Sequence, residues 1–194
     1  MSITVFDVET TGLVPKGLKY QTDFMHFPRV VQLAWWCDGE LKNHLIYPDG
    51  FVIPESSTKI HGITQEMALE KGLLFVDVIE DFIQDASFSD VIVAHNSYFD
   101  VSVIKSEVYR LENNELRNMI NVALDKKKRV DTMMKTIKFV NVWQVKNPKL
   151  RKFPNLMELH VKLFNEPFSD AHDAGVDVMA TLRCYERLVE LGLI

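Results

Sequence analysis

Strand-like runs come first in this 194-residue chain and alternate with helical patterns later, which predicts an α/β fold layered on one mixed sheet. Three observations carry that expectation. Residues 3–8, Ile-Thr-Val-Phe-Asp-Val, are short, apolar and rich in β-branched side chains, the pattern of a buried strand. Residues 30–37 and 41–47 are two further strand-like runs around the turn signal Asp38-Gly39, so they pair as antiparallel neighbours. Beyond residue 90, the apolar run Val91-Ile92-Val93-Ala94 leads into a helical pattern, the alternation that lays helices on a sheet.

Between these landmarks, residues 13–28 carry Pro15, Gly17 and Pro28 without periodicity and read as a long surface loop, a kind that often serves function. Residues 48–58 read as irregular. Thr64 is a candidate N-cap for a short helix ending near Glu70. Val76, Ile79, Phe82 and Ile83 recur at three- and four-residue steps and predict an amphipathic helix over 75–85. A helix over about 98–112 follows, with Asn113-Asn114 as its end or a turn. Residues 130–132 form a short strand, opening a helix near 132–139. Residues 140–154 are basic and aperiodic, and Asn155 caps a helix carrying Leu156, Leu159 and Leu163. A last helix spans about 171–191, with Ser169 or Asp170 as N-cap and Ala174, Val178, Thr181, Tyr185 and Leu188 as its buried stripe.

A content of 47% hydrophobic and 25% charged residues fits one compact domain over 1–194. The formal charge of -5 argues against a passive phosphate-binding surface, yet is compatible with an enzyme that holds nucleic acid through metals and a local basic patch. Cys37 and Cys184, the two cysteines, sit in apolar strand and helix patterns and read as reduced core thiols. No signal peptide or bilayer-length apolar stretch is present, so no membrane is expected and the cytoplasm is the default location.

The acids carry the chemical signal. Asp7 and Glu9 are two apart, so a strand points both to one side. Two carboxylates facing dry core would meet desolvation and mutual repulsion, and a divalent cation relieves both. Alternatively the strand ends at Asp7 and both acids reach water. Asp100 opens a helix just after a buried strand, where open α/β sheets present ligands. Its three-residue spacing from Ser97 also suits a reciprocal helix cap. Asp177 borders the buried stripe of the last helix, and Asp173 shares its face at i,i+4, so spacing leaves both open. His172 lies at the start of that helix, where it can act as a base or be an unremarkable surface histidine.

Asp7-x-Glu9-Thr10-Thr11-Gly12, His95-Asn96-Ser97-Tyr98-Phe99-Asp100 and His172-Asp173-Ala174-Gly175-Val176-Asp177 resemble, in order and across the whole chain, the three motifs of the DnaQ-like (DEDDh) exonucleases. That family lies in the ribonuclease H-like superfamily and includes the proofreading epsilon subunit of DNA polymerase III. The resemblance implies a five-stranded mixed sheet of order 3-2-1-4-5 with strand 2 antiparallel. It implies Asp7, Glu9, Asp100 and Asp177 as metal-binding acids and His172 as general base, which disfavours Asp173 as a ligand. Ile60-His61-Gly62-Ile63-Thr64 resembles a further family segment lining the nucleotide pocket, so His61 and Ile63 are expected to contact substrate, with Thr10, Thr11, Gly12, Asn96 and Phe99 nearby. His61 can equally be a turn histidine.

Oxygen ligands suit Mg²⁺ or Mn²⁺, and two such ions are expected. The implied activity is 3′-to-5′ release of nucleoside 5′-monophosphates from single-stranded ends, with the histidine taking the proton of the attacking water. The epsilon-like motifs favour DNA over RNA; a DNA polymerase is a candidate partner, with stand-alone action as the alternative. An exoribonuclease needs no different catalytic group. A catalytically silent binding protein is disfavoured because all five catalytic positions are filled. Lys126-Lys127-Lys128-Arg129 and residues 146–152 are candidate guides for the phosphate backbone.

Overall fold

In the computed structural model, which describes residues 1–125 and 128–194, five strands form one sheet. These are β1 (Ile3–Thr10), β2 (Val30–Cys37), β3 (Glu40–Leu45), β4 (Val91–Ala94) and β5 (Arg129–Asp131), ordered β3-β2-β1-β4-β5. β2 runs antiparallel to both its neighbours, whereas β1, β4 and β5 are mutually parallel. The sheet order and the reversed second strand are as expected. β1 is longer than its apolar run predicts: Asp7 pairs with Ala34 and Glu9 with Gln32, so both acids lie inside a paired strand and not beyond its end.

The helices are α1 (Tyr20–Asp23), α2 (Glu55–His61), α3 (Gln65–Lys71), α4 (Phe75–Phe88), α5 (Ser97–Arg110), α6 (Asn114–Ala123), α7 (Thr132–Val140), α8 (Leu156–Phe164) and α9 (Ala174–Glu190). Alternation along β1 decides which layer each residue meets. Phe6 and Val8 join Leu33, Trp35, Phe82 and Ile104 in the larger core, on the side of α4 and α5. Phe6 and Trp35 both place their rings about 5.5 Å from Phe82, and the Trp35 indole N–H donates to Asp85 Oδ2 at 2.7 Å. Val5 instead meets Ala34, Val93 and the α9 residues Ala174, Val178 and Leu182. Each large aliphatic side chain so buried contributes about 1.5–3 kcal/mol.

Several elements differ from expectation. α2 occupies part of the stretch read as irregular; Pro54 gives its start no side-chain cap, while Gly62 ends it at φ +76°. α6 follows the asparagine pair, because Asn113 starts a helix: its Oδ1 accepts the N–H groups of Glu115 and Leu116. The 13–28 loop contains α1 and a 3₁₀ turn, Phe24–His26. α9 begins later than expected, with Asp173 and neither Ser169 nor Asp170 as its N-cap. Asn155 and Glu158 form the capping box of α8. Both cysteines are free. Among the described residues, no helix is long and apolar enough to cross a membrane.

Candidate active site

The face of β1 that packs Val5 against α9 continues upward to Asp7 and Glu9, at the level of the first turn of α9. Asp177 sits in that turn, and Asp100 in the first turn of α5, directly after β4. Because β1 and β4 are parallel, their C-terminal ends lie together. Asp7, Glu9, Asp100, His172 and Asp177 consequently line one cleft of about 380 Å³, walled by Leu13, Phe99, Met133, Phe153 and Leu156.

Electrostatics reflect how tightly the four acids are gathered. Burial raises the Asp7 pKa well above the ordinary carboxylate range, and Asp100, Asp177, Glu9 and Asp173 add repulsion in that order. Glu9 is pushed up to about 8 by burial and then by Asp177 and Asp100. Asp100, 2% exposed, also reaches about 8 through burial; main-chain groups of Asp100 and Val8 oppose the rise, and Asp131 and Asp177 reinforce it. Asp177 rises to about 6 by burial, partly offset by His172. Its Oδ2 accepts the His172 backbone N–H at 3.2 Å, while its Oδ1 is buried with no hydrogen-bond partner. Oxygen atoms of Glu9 and Asp177 and a ring nitrogen of His172 lie within 4.8 Å of one another. An unpartnered buried oxygen among mutually repelling carboxylates is a donor set that fits a hard divalent cation.

Asp173 is used differently. Its Oδ1 accepts the Val176 N–H at 3.1 Å, and its Oδ2 accepts from the Gln32 side-chain amide at 2.9 Å. That amide also donates to Asn43 Oδ1, and Gln32 Oε1 accepts the Ala174 N–H at 3.1 Å. The start of α9 is thereby tied to β2 and β3. Gly175 permits the fit, since a Cβ there would lie 2.5 Å from the Asn43 side-chain nitrogen. His172, exposed at φ +75°, stands just ahead of this anchor in a backbone region that histidine tolerates better than most residues.

The second motif is held from below. His95 places Nδ1 2.9 Å from the Thr132 hydroxyl and Nε2 3.0 Å from the Pro154 carbonyl. A carbonyl only accepts, so Nε2 carries a proton, and burial lowers the His95 pKa. Asn96 adopts φ +70°, and its N–H, the Ser97 N–H and the Ser97 hydroxyl all donate to the Asp131 carboxylate. The capping reading of Asp100 is therefore overturned: Ser97 is engaged by Asp131.

The remaining expected residues divide. Thr10 Oγ1 donates to the Gly12 carbonyl at 2.7 Å, and Thr11 Oγ1 accepts the Arg29 N–H at 2.8 Å, so both shape the turn after β1. Gly12 has no positive φ, and a Cβ added there would meet no atom within 4 Å, so the backbone is open at this point. His61 Nδ1 accepts the Ile63 N–H at 3.1 Å. Burial lowers the His61 pKa; the Thr10 carbonyl opposes that and His172 adds to it, so the ring stands near both. Ile63 is 4% exposed among Val31, Ile53 and Ala68, so its side chain packs into the core. Asn96 and Phe99 line the cleft. Lys126 and Lys127 lie outside the described residues. Lys128 donates to the Ser89 carbonyl at 3.2 Å and Arg129 is half-buried, both at the end of the parallel strands away from the acids.

Gln32 and Asp131 are the structural supports that motif reading missed. Gln32 is the lone polar side chain in the 30–37 run, and Asp131 stands between a short strand and a helix, a capping signal.

The exonuclease family model matches residues 4–185. The chain belongs to the DnaQ-like exonuclease family. Within that family it is 34% identical over 118 residues to DNA polymerase III subunit epsilon of Buchnera aphidicola subsp. Baizongia pistaciae, covering 60% of this chain and 43% of that protein. The epsilon subunit of Treponema pallidum is 32% identical over 109 residues, covering 56% of this chain and 46% of that one. The chain thus spans less than half the length of these curated relatives. Among solved structures, one of exonuclease I superposes with a TM-score of 0.72 at 21% identity, covering 97% of this chain and 41% of that one. Exonuclease I of Methylocaldum szegediense gives 0.70 at 23%, covering 97% and 40%. E. coli exonuclease I in complex with a dA16 oligonucleotide gives 0.70 at 21%, covering 98% and 41%. These likenesses establish the shared fold of the DnaQ-like exonucleases.

Proposed function

We propose that this DnaQ-like exonuclease hydrolyses the terminal phosphodiester at the 3′ end of single-stranded DNA and releases nucleoside 5′-monophosphates. The observation that carries this reading is the cleft of four carboxylates with raised pKa values and an unpartnered Asp177 oxygen. Asp7, Glu9, Asp100 and Asp177 are the residues assigned to hold two Mg²⁺ or Mn²⁺ ions. When bound, such ions neutralise the clustered acids and the substrate phosphate and acidify a water.

The chain's own groups do the rest. His172 takes the proton from the attacking water, standing exposed on its turn with a ring nitrogen within 4.8 Å of Glu9 and Asp177 oxygens. The water oxygen bonds to phosphorus as the bond to the 3′ oxygen breaks, and the leaving 3′ oxygen takes up a proton from solvent while His172 returns its own to solvent. Phe99 and Leu13 offer apolar walls that hold an unstacked base without reading its identity. His61 stands near Thr10 and near His172, which itself lines the cleft.

DNA is favoured because the named relatives are DNA polymerase III epsilon subunits, a name that also makes a polymerase the partner to test. The experiment compares mononucleotide release from matched single-stranded DNA and RNA oligonucleotides in Mg²⁺, Mn²⁺ and EDTA, for the wild type and Asp7→Ala. Release from DNA that requires metal and drops at least 100-fold in the variant is expected. Equal release by both proteins would overturn the nuclease reading, and faster RNA cleavage would replace its substrate.

A further inference from the structure

Residues 132–157 contain six lysines and arginines and no aspartate or glutamate, in a chain whose formal charge is -5. The middle of this stretch folds back on itself between α7 and α8. Gln144 N–H donates to the Leu150 carbonyl at 3.0 Å and Lys152 N–H to the Val142 carbonyl at 2.8 Å, with Trp143 opposite Arg151. The result is a short antiparallel arm. Its surface combines charge with exposed apolar groups: Trp143, Val145, Leu150 and Phe153 are all exposed. The Arg151 guanidinium lies 4.9 Å from the Trp143 ring centre, and its Nε donates to Asn141.

Charge on the arm is largely uncompensated. Lys152 pairs with Glu158 at 2.7 Å, but among the described residues Lys135, Lys138, Lys146, Lys149 and Arg151 pair with no carboxylate. Lys135, Lys138, Trp143, Lys149 and Arg151 instead line a groove of about 520 Å³ between the arm and α7. That groove adjoins the acid cleft through the chain itself. Met134 lines the groove and Met133 the cleft; Arg151 lines the groove and Phe153 and Pro154 the cleft. The Pro154 carbonyl is in turn fixed by His95. A merely solvated loop needs neither a groove lined by cations and an indole nor a root built into the cleft wall.

We propose that residues 141–153 are a strand-holding arm that binds the phosphate backbone of the substrate on the 5′ side of its 3′ terminus, with Trp143 and Phe153 as stacking platforms. The inference rests on the nuclease reading for its substrate. Lys146, Lys149 and Arg151 contact phosphates, and the aromatic groups accept bases without sequence preference. From Phe153 to Lys149 the chain spans at most about 13 Å, its far end folded into the turn closed by the Leu150 N–H on the Asn147 carbonyl. That is the length of about four nucleotides at a stacked spacing of about 3.4 Å. Nucleotides beyond the cleft therefore reach the arm, whereas a lone terminal nucleotide does not.

The test is the triple variant Lys146→Gln, Lys149→Gln, Arg151→Gln, whose side chains are exposed. Binding of a fluorescent 20-nucleotide single strand is measured without metal across a salt series. Hydrolysis in Mn²⁺ is compared between the same strand and p-nitrophenyl thymidine 5′-monophosphate, which occupies the cleft alone. The slope of log K against log salt should become shallower by about 2, from about 0.7 per lost phosphate contact. The ratio of kcat/KM on the 20-mer to that on the ester should fall about tenfold. An unchanged slope and an unchanged ratio would overturn the arm and leave an acidic protein surface as its occupant. If the wild type cleaves neither substrate, the nuclease reading fails while the salt slope still decides whether the arm binds nucleic acid.

Discussion

Asp177 shows how a single side chain serves two demands: one oxygen orders the His172 backbone while the other is buried with nothing to accept. Leaving a buried acceptor unsatisfied costs about 1–3 kcal/mol, a cost the fold retains where a ligand can remove it. Lys105 presents the opposite case, a buried cation outside the cleft. It is 6% exposed, and burial, reinforced by Arg129, lowers its pKa from 10.5 to about 8. The unfolded chain therefore binds more protons between about pH 8 and 10.5, so stability rises with pH through that window and the burial cost is complete below it. Lys105→Met should melt higher than the wild type at pH 7, by about 1 kcal/mol once solvent screening is discounted, with the difference shrinking toward pH 10. Parallel melting curves from pH 7 to 10 would refute this. The four acids of the cleft are legible because the motif names them, whereas the burial of the Ile63 side chain is not. Its membership of a family segment says nothing of which way a side chain turns, and this one turns into the core.

At the scale of elements, Asp131 joins two helices to one strand end. Its carboxylate accepts from Asn96 and Ser97 at the start of α5 and from Met134 at the start of α7, and so sets where Asp100 and Met133 stand. Asp131→Ala should remove both caps and cost about 2 kcal/mol, with Asp131→Asn recovering part of it. Urea unfolding of the three proteins measures this; equal midpoints would mean the caps are dispensable. Elements announced by local chemistry were legible in the sequence: the hairpin turn at Asp38-Gly39, Thr64 capping α3, Asn155 capping α8. α6 was not, although Leu116, Ile120 and Ala123 form its buried stripe, because an asparagine pair signals a helix stop as readily as a start. α2 lacks a starting cap, so only its terminal glycine was visible.

Over the whole molecule, the sheet order was available only through family resemblance. Local patterns pair β2 with β3, but nothing local says that β1 lies between β2 and β4. Long-range polar ties were illegible for the same reason: Gln32 reaches Asp173 across 141 positions of sequence. The central place of β1 has a consequence for how the site opens. Strand β1 is hydrogen-bonded on both sides and packed on both faces, whereas His172 sits exposed on a turn that also holds Asp170 at φ +55°. Amide hydrogen exchange should accordingly be slowest at Val5 and Phe6, requiring global unfolding, and fast across 169–172, through local opening. Similar protection in both segments would contradict it. The cleft then has a stationary side and a breathing side: Asp7 and Glu9 keep their places on β1 through excursions in which the turn carrying His172 swings away.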